Sequence, residues 1–385
     1  MKVCVISSTR ADFGLLKNLL IQFQKFRVDY KFVVIGAHLS RYYGSTLTEI
    51  KHSKLKIYKK IYYKINTSNE LGISKAVSEC CEKITKIFKK INPEIIILLG
   101  DRYETLSCAI SAHICNIPIG HIHGGELTEG LIDDAFRHSI TKMSHLHFVS
   151  NQIYKKRVIQ LGENPNKVFN VGGLGVESIK NTNFYSKKDI EKKLNLKLQK
   201  KNIIINFHPE TLNKGLAKKQ INEIINSLKN LKNTTLIFTM PGAELENKEI
   251  IKKIKLFINQ RKNTYFFKSL GQQKYFSILN QVDLMIGNSS SGLLEMPSFN
   301  KPTINLGIRQ KGRIKAKSVI NSEIKEKNIR SSIKKAYSSY FKKSLKFNLS
   351  PYGKGDTSKK IFSILKKTNL KNLMNKKFYD IKQKI

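Results

Sequence analysis

The stretch 99–142, LGDRYETLSCAISAHICNIPIGHIHGGELTEGLIDDAFRHSITK, sets carboxylates, four histidines and two arginines among glycines and strongly apolar runs. A core segment would not carry so many groups that are costly to bury unpaired, and a solvated loop would not alternate them with Ile, Leu and Ala. Carboxylates beside imidazoles move protons, so acid/base chemistry is the first expectation here. Gly100-Asp101-Arg102, with Glu104, follows the run IIILLG; Asp101 suits proton transfer, and capping of the next helix is the plain alternative. HIHGGE (121–126) ends another run, where strand alternation places His121 and His123 on one side and the glycines admit a ligand closely. In IDDAFRHSITK (132–142), Asp133 and Arg137 are i,i+4 neighbours, as are Asp134 and His138, a spacing that a surface ion pair also explains. His145 and His147 open a strand and read as structural.

Polar motifs elsewhere suit an anion. SSTRADFG (7–14) follows the first strand and brings Arg10 and backbone N–H groups to a helix start; a plain cap by Asp12 explains it equally well. FHPE (207–210) ends a strand with His208. MIGNSSSGLLEMPS (285–298) reads as strand, Gly/Ser turn and a helix from near Gly292, offering N–H groups, the Ser289 and Ser290 hydroxyls and a helix dipole to a diphosphate. Glu295, one turn further, is placed to accept from ribose hydroxyls. NLGIRQKGR (305–313) brings Arg309 and Arg313 to the next strand end. No HExxH or paired-Cys spacing accompanies the histidines, so no metal is expected, and without GxGxxG after the first strand neither is a dinucleotide. No cofactor is expected.

These motifs must be held by elements, and the chain supplies them in alternation. Strands are expected near 3–7, 32–36, 95–100, 117–122, 147–150 and 168–171, then near 203–207, 236–240, 265–268, 284–287 and 303–306, with helical patterns between most. That pattern is α/β: two Rossmann-like, doubly wound domains facing across a cleft, with a C-terminal helix packing back. The expected segments are 1–177, carrying the acid/base cluster, 178–355, and a helical end at 356–385. At 385 residues two cores are expected.

The net charge of +42 invites a nucleic-acid reading, yet only ten of the 70 Lys and Arg residues are Arg, and the lysines are spread over amphipathic patterns such as SKKDIEKKLNLKLQKK. Neither nucleic acid nor membrane is expected as a partner. Half of the arginines, Arg10, Arg102, Arg137, Arg309 and Arg313, sit in Gly-, Asp- or Ser-containing motifs, as planar recognition of carboxylate or phosphate requires. Five cysteines without metal-ligand spacing suit reduced thiols, and the N-terminus lacks a signal-peptide pattern; a cytoplasmic protein is expected.

Nine motifs in order resemble the UDP-N-acetylglucosamine 2-epimerase family, and within it the hydrolysing branch of sialic- and nonulosonic-acid synthesis: STRADFG, GDRYE, HIHGGE, DDxxRHSITK, YKKRVIQLGE, VFNVGGLG, FHPET, IGNSSSGLLE and INLGIRQKGR. The resemblance implies a glycosyltransferase-B-like fold, a homodimer, and UDP held mainly by the C-terminal domain. It implies Asp101 and Asp133 as catalytic acids, and Arg10, His208, Ser289, Ser290, Glu295 and Arg313 at the nucleotide and diphosphate. The family pattern HxEGG becomes HxHGG at His123; either His123 or Glu126 takes over that proton transfer, and an imidazole, titrating near neutrality, is chemically suited. The implied reaction converts UDP-N-acetylglucosamine and water to N-acetylmannosamine and UDP. The same reaction on UDP-2,4-diacetamido-2,4,6-trideoxyglucose (UDP-N,N'-diacetylbacillosamine) is the alternative, ahead of a non-hydrolysing epimerase or a glycosyltransferase.

Overall fold

A computed structural model describes residues 1–40, 47–66, 69–129, 131–210, 215–242, 246–345 and 350–381. The chain divides into two compact units. The first comprises Met1–Glu126, Asp133–Lys180 and the chain from Tyr352 onward; the second comprises Leu127–Ile132 and Asn181–Pro351. These bounds differ from the expected segments at both ends. The final stretch is no separate segment: Ile361, Leu365, Leu370 and Leu373 join the core that holds Leu16, Leu19 and Phe23.

The strands of the first unit are β1 (Lys2–Ser7), β2 (Asp29–Ile35), β3 (Ile57–Ile61), β4 (Ile95–Leu99), β5 (Ile119–Ile122), β6 (Leu146–Val149) and β7 (Val168–Asn170). They form one sheet in the order β3-β2-β1-β4-β5-β6-β7, parallel throughout. The second unit contributes β8 (Lys201–Asn206), β9 (Thr234–Thr239), β10 (Thr264–Phe267), β11 (Leu284–Gly287), β12 (Thr303–Leu306) and β13 (Val319–Ser322), again all parallel, in the order β10-β9-β8-β11-β12-β13. Continuous apolar runs such as IIILL of β4, buried at every residue, are what a sheet covered on both faces requires.

Each sheet reverses its strand order once, between β1 and β4 and between β8 and β11. In open α/β sheets ligands bind beyond the carboxyl ends of the strands at such switch points. The loops after β1, β4, β8 and β11 are SSTR, GDRYE, FHPE and NSSSG, four of the motifs expected to carry chemistry.

Burial lowers the pKa of four histidines of the first unit: His38 and His145 to about 4, His121 to about 3, and His147 in the same direction. The unfolded chain takes up these protons near pH 6.5, whereas the fold refuses them, so stability is present above that pH and falls as pH drops toward 4. Each histidine adds up to about 1.4 kcal/mol per pH unit in that window. The urea midpoint is therefore expected to be clearly lower at pH 5 than at pH 7; equal midpoints would contradict burial of neutral imidazoles.

Candidate active site

In the first unit the site is built on two strand ends and one helix. Gly100, with φ +80, turns the chain out of β4 and leaves Asp101 about one-fifth exposed. Asp101 is bound by Arg137, which lies one turn inside the helix Asp133–Met143 and is 1% exposed. The other guanidinium nitrogen donates to Asp134 Oδ1 at 2.7 Å and to the Glu126 carbonyl at 2.9 Å. Burial alone would lower Arg137, but Asp101, Glu126 and Asp134 outweigh it and hold the guanidinium above its ordinary range. Arg137 thus gathers two carboxylates around a fixed fork, as the planar geometry of Arg permits. His138 Nε2 lies 3.5 Å from Asp134, the i,i+4 pair the spacing gave, while Arg137 meets Asp134 at i,i+3.

His121 and His123 part company. His121 is inside β5 and fully buried, with Nε2 2.8 Å from the Gly100 carbonyl and Nδ1 3.1 Å from the Thr141 hydroxyl. A carbonyl only accepts, so Nε2 carries the proton and Nδ1 accepts from Thr141. The strand ends at Ile122, and His123 has φ +68, so the alternation that would have aligned the two histidines stops one residue short. A non-glycine residue in that region is costly, and such strain collects at functional sites. His123 is 8% exposed, its Nδ1 lies 3.3 Å from Glu126 Oε1, and its buried Nε2 has no hydrogen-bond partner among the described residues. Arg157 fastens the same turn by donating to the Gly125 carbonyl at 2.6 Å.

After β1, Thr9 and Asp12 form a reciprocal cap of the helix Arg10–Lys25. The Asp12 carboxylate accepts from Thr9 N, Ser8 N and the Ser8 hydroxyl, so the capping explanation holds for Asp12, and Arg10 stands half-buried on the first turn. Arg102 donates through Nε to the buried Glu104 at 3.1 Å.

In the second unit Gly287 has φ +146 and a side chain there would collide with the Asn206 carbonyl, so only glycine lets β11 run this close to β8. Asn288 then locks the two strand ends: its Oδ1 accepts from His208 N at 2.7 Å and its Nδ2 donates to the His208 carbonyl at 2.8 Å. His208 Nδ1 accepts from Gly242 N at 3.0 Å. Arg309 and Gln310 both donate to the Asn288 carbonyl, at 3.2 and 2.9 Å, and Arg313 donates to Gln310 at 2.8 Å.

The dipole expected behind Ser289 and Ser290 is small, because the helix there spans only Ser291–Leu294 and gives way to a 3-10 turn holding Pro297. Ser291 donates to Glu295, and the chain of contacts continues through the Tyr275 hydroxyl, 2.6 Å from Ser291, to Asn206 at 2.7 Å.

Two residues with positioning roles escaped the sequence reading. Glu210, 3% exposed, accepts from Ile308 N at 2.8 Å and Arg309 N at 3.2 Å, and Gly307 leaves room for its carboxylate. Tyr275 lies in a helix with no motif around it; only its place ahead of β11 could have pointed to it. Among the described residues no group of three or more His, Cys, Asp or Glu is placed to hold a metal ion, and no helix is long and apolar enough to cross a membrane.

Two doubly wound parallel units, each with its polar groups at the switch point and one with a buried carboxylate–imidazole cluster, define an α/β enzyme of the two-domain class. Residues 22–366 match the family model described as UDP-N-acetylglucosamine 2-epimerase. The chain belongs to that family.

A relative from Campylobacter jejuni, a GDP/UDP-N,N'-diacetylbacillosamine 2-epimerase (hydrolyzing), is 43% identical over 99% of both chains. The polysialic acid biosynthesis protein P7 of Escherichia coli is 36% identical over 99% of this chain and 97% of its own. Among solved structures, the UDP-GlcNAc 2-epimerase of Neisseria meningitidis bound to UDP-GlcNAc superposes with a TM-score of 0.81, covering 96% of this chain and 100% of that one at 19% identity, a likeness of fold.

Proposed function

We propose that this chain is a hydrolysing 2-epimerase of UDP-linked 2-acetamido sugars, and the observation that carries the reading is the Asp101–Arg137–Asp134 cluster beside His123 and Glu126 at the ends of β4 and β5. In the first step a base takes the C2 proton while the C1–O bond breaks and UDP departs, leaving a 2-acetamidoglycal. In the second, water adds its oxygen to C1 and passes a proton to a base while a protonated group delivers a proton to C2 from the opposite face, releasing the free manno-configured sugar. Two proton-transfer groups are needed, and Asp101, His123 with Glu126, and Asp133 are the residues assigned to them. The C2 proton is weakly acidic, so charge on the departing diphosphate must be stabilised; Arg10, His208, Ser289, Ser290, Arg309 and Arg313 are assigned to it, with Glu295 on the ribose. Arg102 and Arg137, expected from their motifs to recognise carboxylate or phosphate and so to bind substrate, are assigned instead to holding Glu104 and the catalytic carboxylates.

For the sugar, the 43% identity to a diacetylbacillosamine enzyme favours the 2,4-diacetamido substrate, and the 36% identity to a polysialic acid biosynthesis protein favours UDP-N-acetylglucosamine as the second reading. The homodimer and the cytoplasmic setting belong to the same proposal, and sedimentation velocity reads the first.

The deciding experiment is proton NMR of the enzyme with each UDP-sugar in heavy water. Free UDP together with a reducing sugar deuterated at C2 is the expected result. A product still linked to UDP would mean a non-hydrolysing epimerase, and no UDP from either substrate would overturn the reading. Glu210→Ala leaves the Ile308 and Arg309 N–H groups without their acceptor, at about 1–3 kcal/mol for each unsatisfied group. UDP affinity by calorimetry is expected to fall by about tenfold or more; unchanged affinity would remove this loop from the nucleotide site.

A further inference from the structure

We infer that the segment around Lys376 is a strap that sets the position of the helix Asp133–Met143, with Lys376 as a positioning residue for the reaction proposed above, on which this inference rests. After the helix Thr357–Lys367 the chain continues without regular structure, anchored by buried Leu370 and Leu373. Lys376 then reaches inward. Its ammonium donates to the Lys142 carbonyl at 2.6 Å and the Ser144 carbonyl at 2.8 Å, and pairs with Glu163 at 2.7 Å. Three acceptors use all that an ammonium can donate.

The site it fills is built for a cation. Lys142 and Ser144 lie at the carboxyl end of the helix, where backbone carbonyls lack helical partners and the dipole is negative. Glu163 is 1% exposed and also takes Lys142 Nζ at 2.8 Å and His147 Nε2 at 2.9 Å. Burial alone would raise this carboxylate, but those donors hold it down to about 2. Two further contacts secure the strap: Tyr379 N donates to the Gly162 carbonyl at 3.0 Å, and the Phe378 ring lies against Gly162 with Lys142 Nζ 4.7 Å from its centroid.

The helix so held is the one that carries the cluster. From its first turn to its last it is fastened to Asp101 through Arg137, to His121 through Thr141, and to the strap through the Lys142 carbonyl. A shift of its last turn is passed along a rigid element to Arg137 and the carboxylates it orients, and a misplacement of about 1 Å can cost about 100-fold in rate. None of the strap's residues is assigned to substrate, so its loss should change kcat and leave binding alone.

The test uses full-length enzyme carrying Lys376→Ala, with Lys376→Gln as a milder second variant. We expect kcat to fall about tenfold or more, with KM and UDP affinity within about twofold of the parent. Hydrogen exchange should quicken across residues 133–143. Propylammonium added to Lys376→Ala should restore both kcat and slow exchange, since it replaces the missing side chain in a preformed site. Unchanged kcat and exchange in both variants would overturn the strap, as would a loss of activity that follows UDP affinity and is not rescued by the amine. If the parent enzyme turned over neither UDP-sugar, the proposed function would fail by itself, and exchange of the helix with and without propylammonium would still decide the strap.

Discussion

Asp101→Asn is expected to lower kcat by about a thousandfold while the Kd for UDP stays within about twofold. The substitution keeps the shape of the side chain and an oxygen to accept from Arg137, and removes the negative charge and the ability to take a proton. Acid/base groups contribute roughly 100- to 10,000-fold, and Asp101, about one-fifth exposed with a buried guanidinium behind it, stands just after β4. The residues assigned to UDP lie on β8, β11 and β12 ends of the second unit, apart from Arg10. Turnover by NMR and UDP binding by calorimetry separate the two quantities. Loss of both together would make Asp101 a structural residue.

The second large effect is on stability. Arg137→Met removes a fully buried guanidinium that donates to Asp101, Asp134 and the Glu126 carbonyl. Breaking a buried ion pair from one side costs about 3–5 kcal/mol, because the partner charge stays behind. Arg137→Lys should recover little, since a single ammonium cannot span acceptors that a fork reaches separately. Urea unfolding followed by circular dichroism is the suitable readout, as the chain contains no Trp. A loss below about 1 kcal/mol would show that the cluster is solvated enough to do without its guanidinium.

The sequence reading found the inner strands and the end strands β7 and β10, and missed β3, IYKKI, and β13, VINS, one end strand of each sheet, where lysines and polar residues interrupt the apolar run. At the site, residue types and strand ends were legible for Asp101, His208 and Ser289, because each follows an unmistakable strand, and for His121 inside β5. Partnerships were harder. Helical spacing offered Asp133 to Arg137, whereas the fork takes Asp134 and reaches across to Asp101, a contact fixed by the approach of β4 to a distant helix. Alternation was carried one residue past the end of β5, and the dipole was drawn from a helix that Pro297 cuts short. Glu210 acts through Ile308, 98 residues away in sequence, and Tyr275 through Asn206, 69 residues away, and no local pattern encodes such reach.

The first unit is assembled from chain made before and after the second. Leu16, Leu19, Leu20 and Phe23 precede Asn181–Pro351, whereas Ile361, Phe362 and Leu365, which pack in the same core, are made only after it. At translation speeds of about 5–20 residues per second this apolar face waits roughly 17 to 70 seconds for its cover. The second unit needs nothing beyond Pro351 and can finish first. The N-terminal unit is thus the later of the two to mature, its first helix keeping an open apolar face until residues 361–365 have emerged.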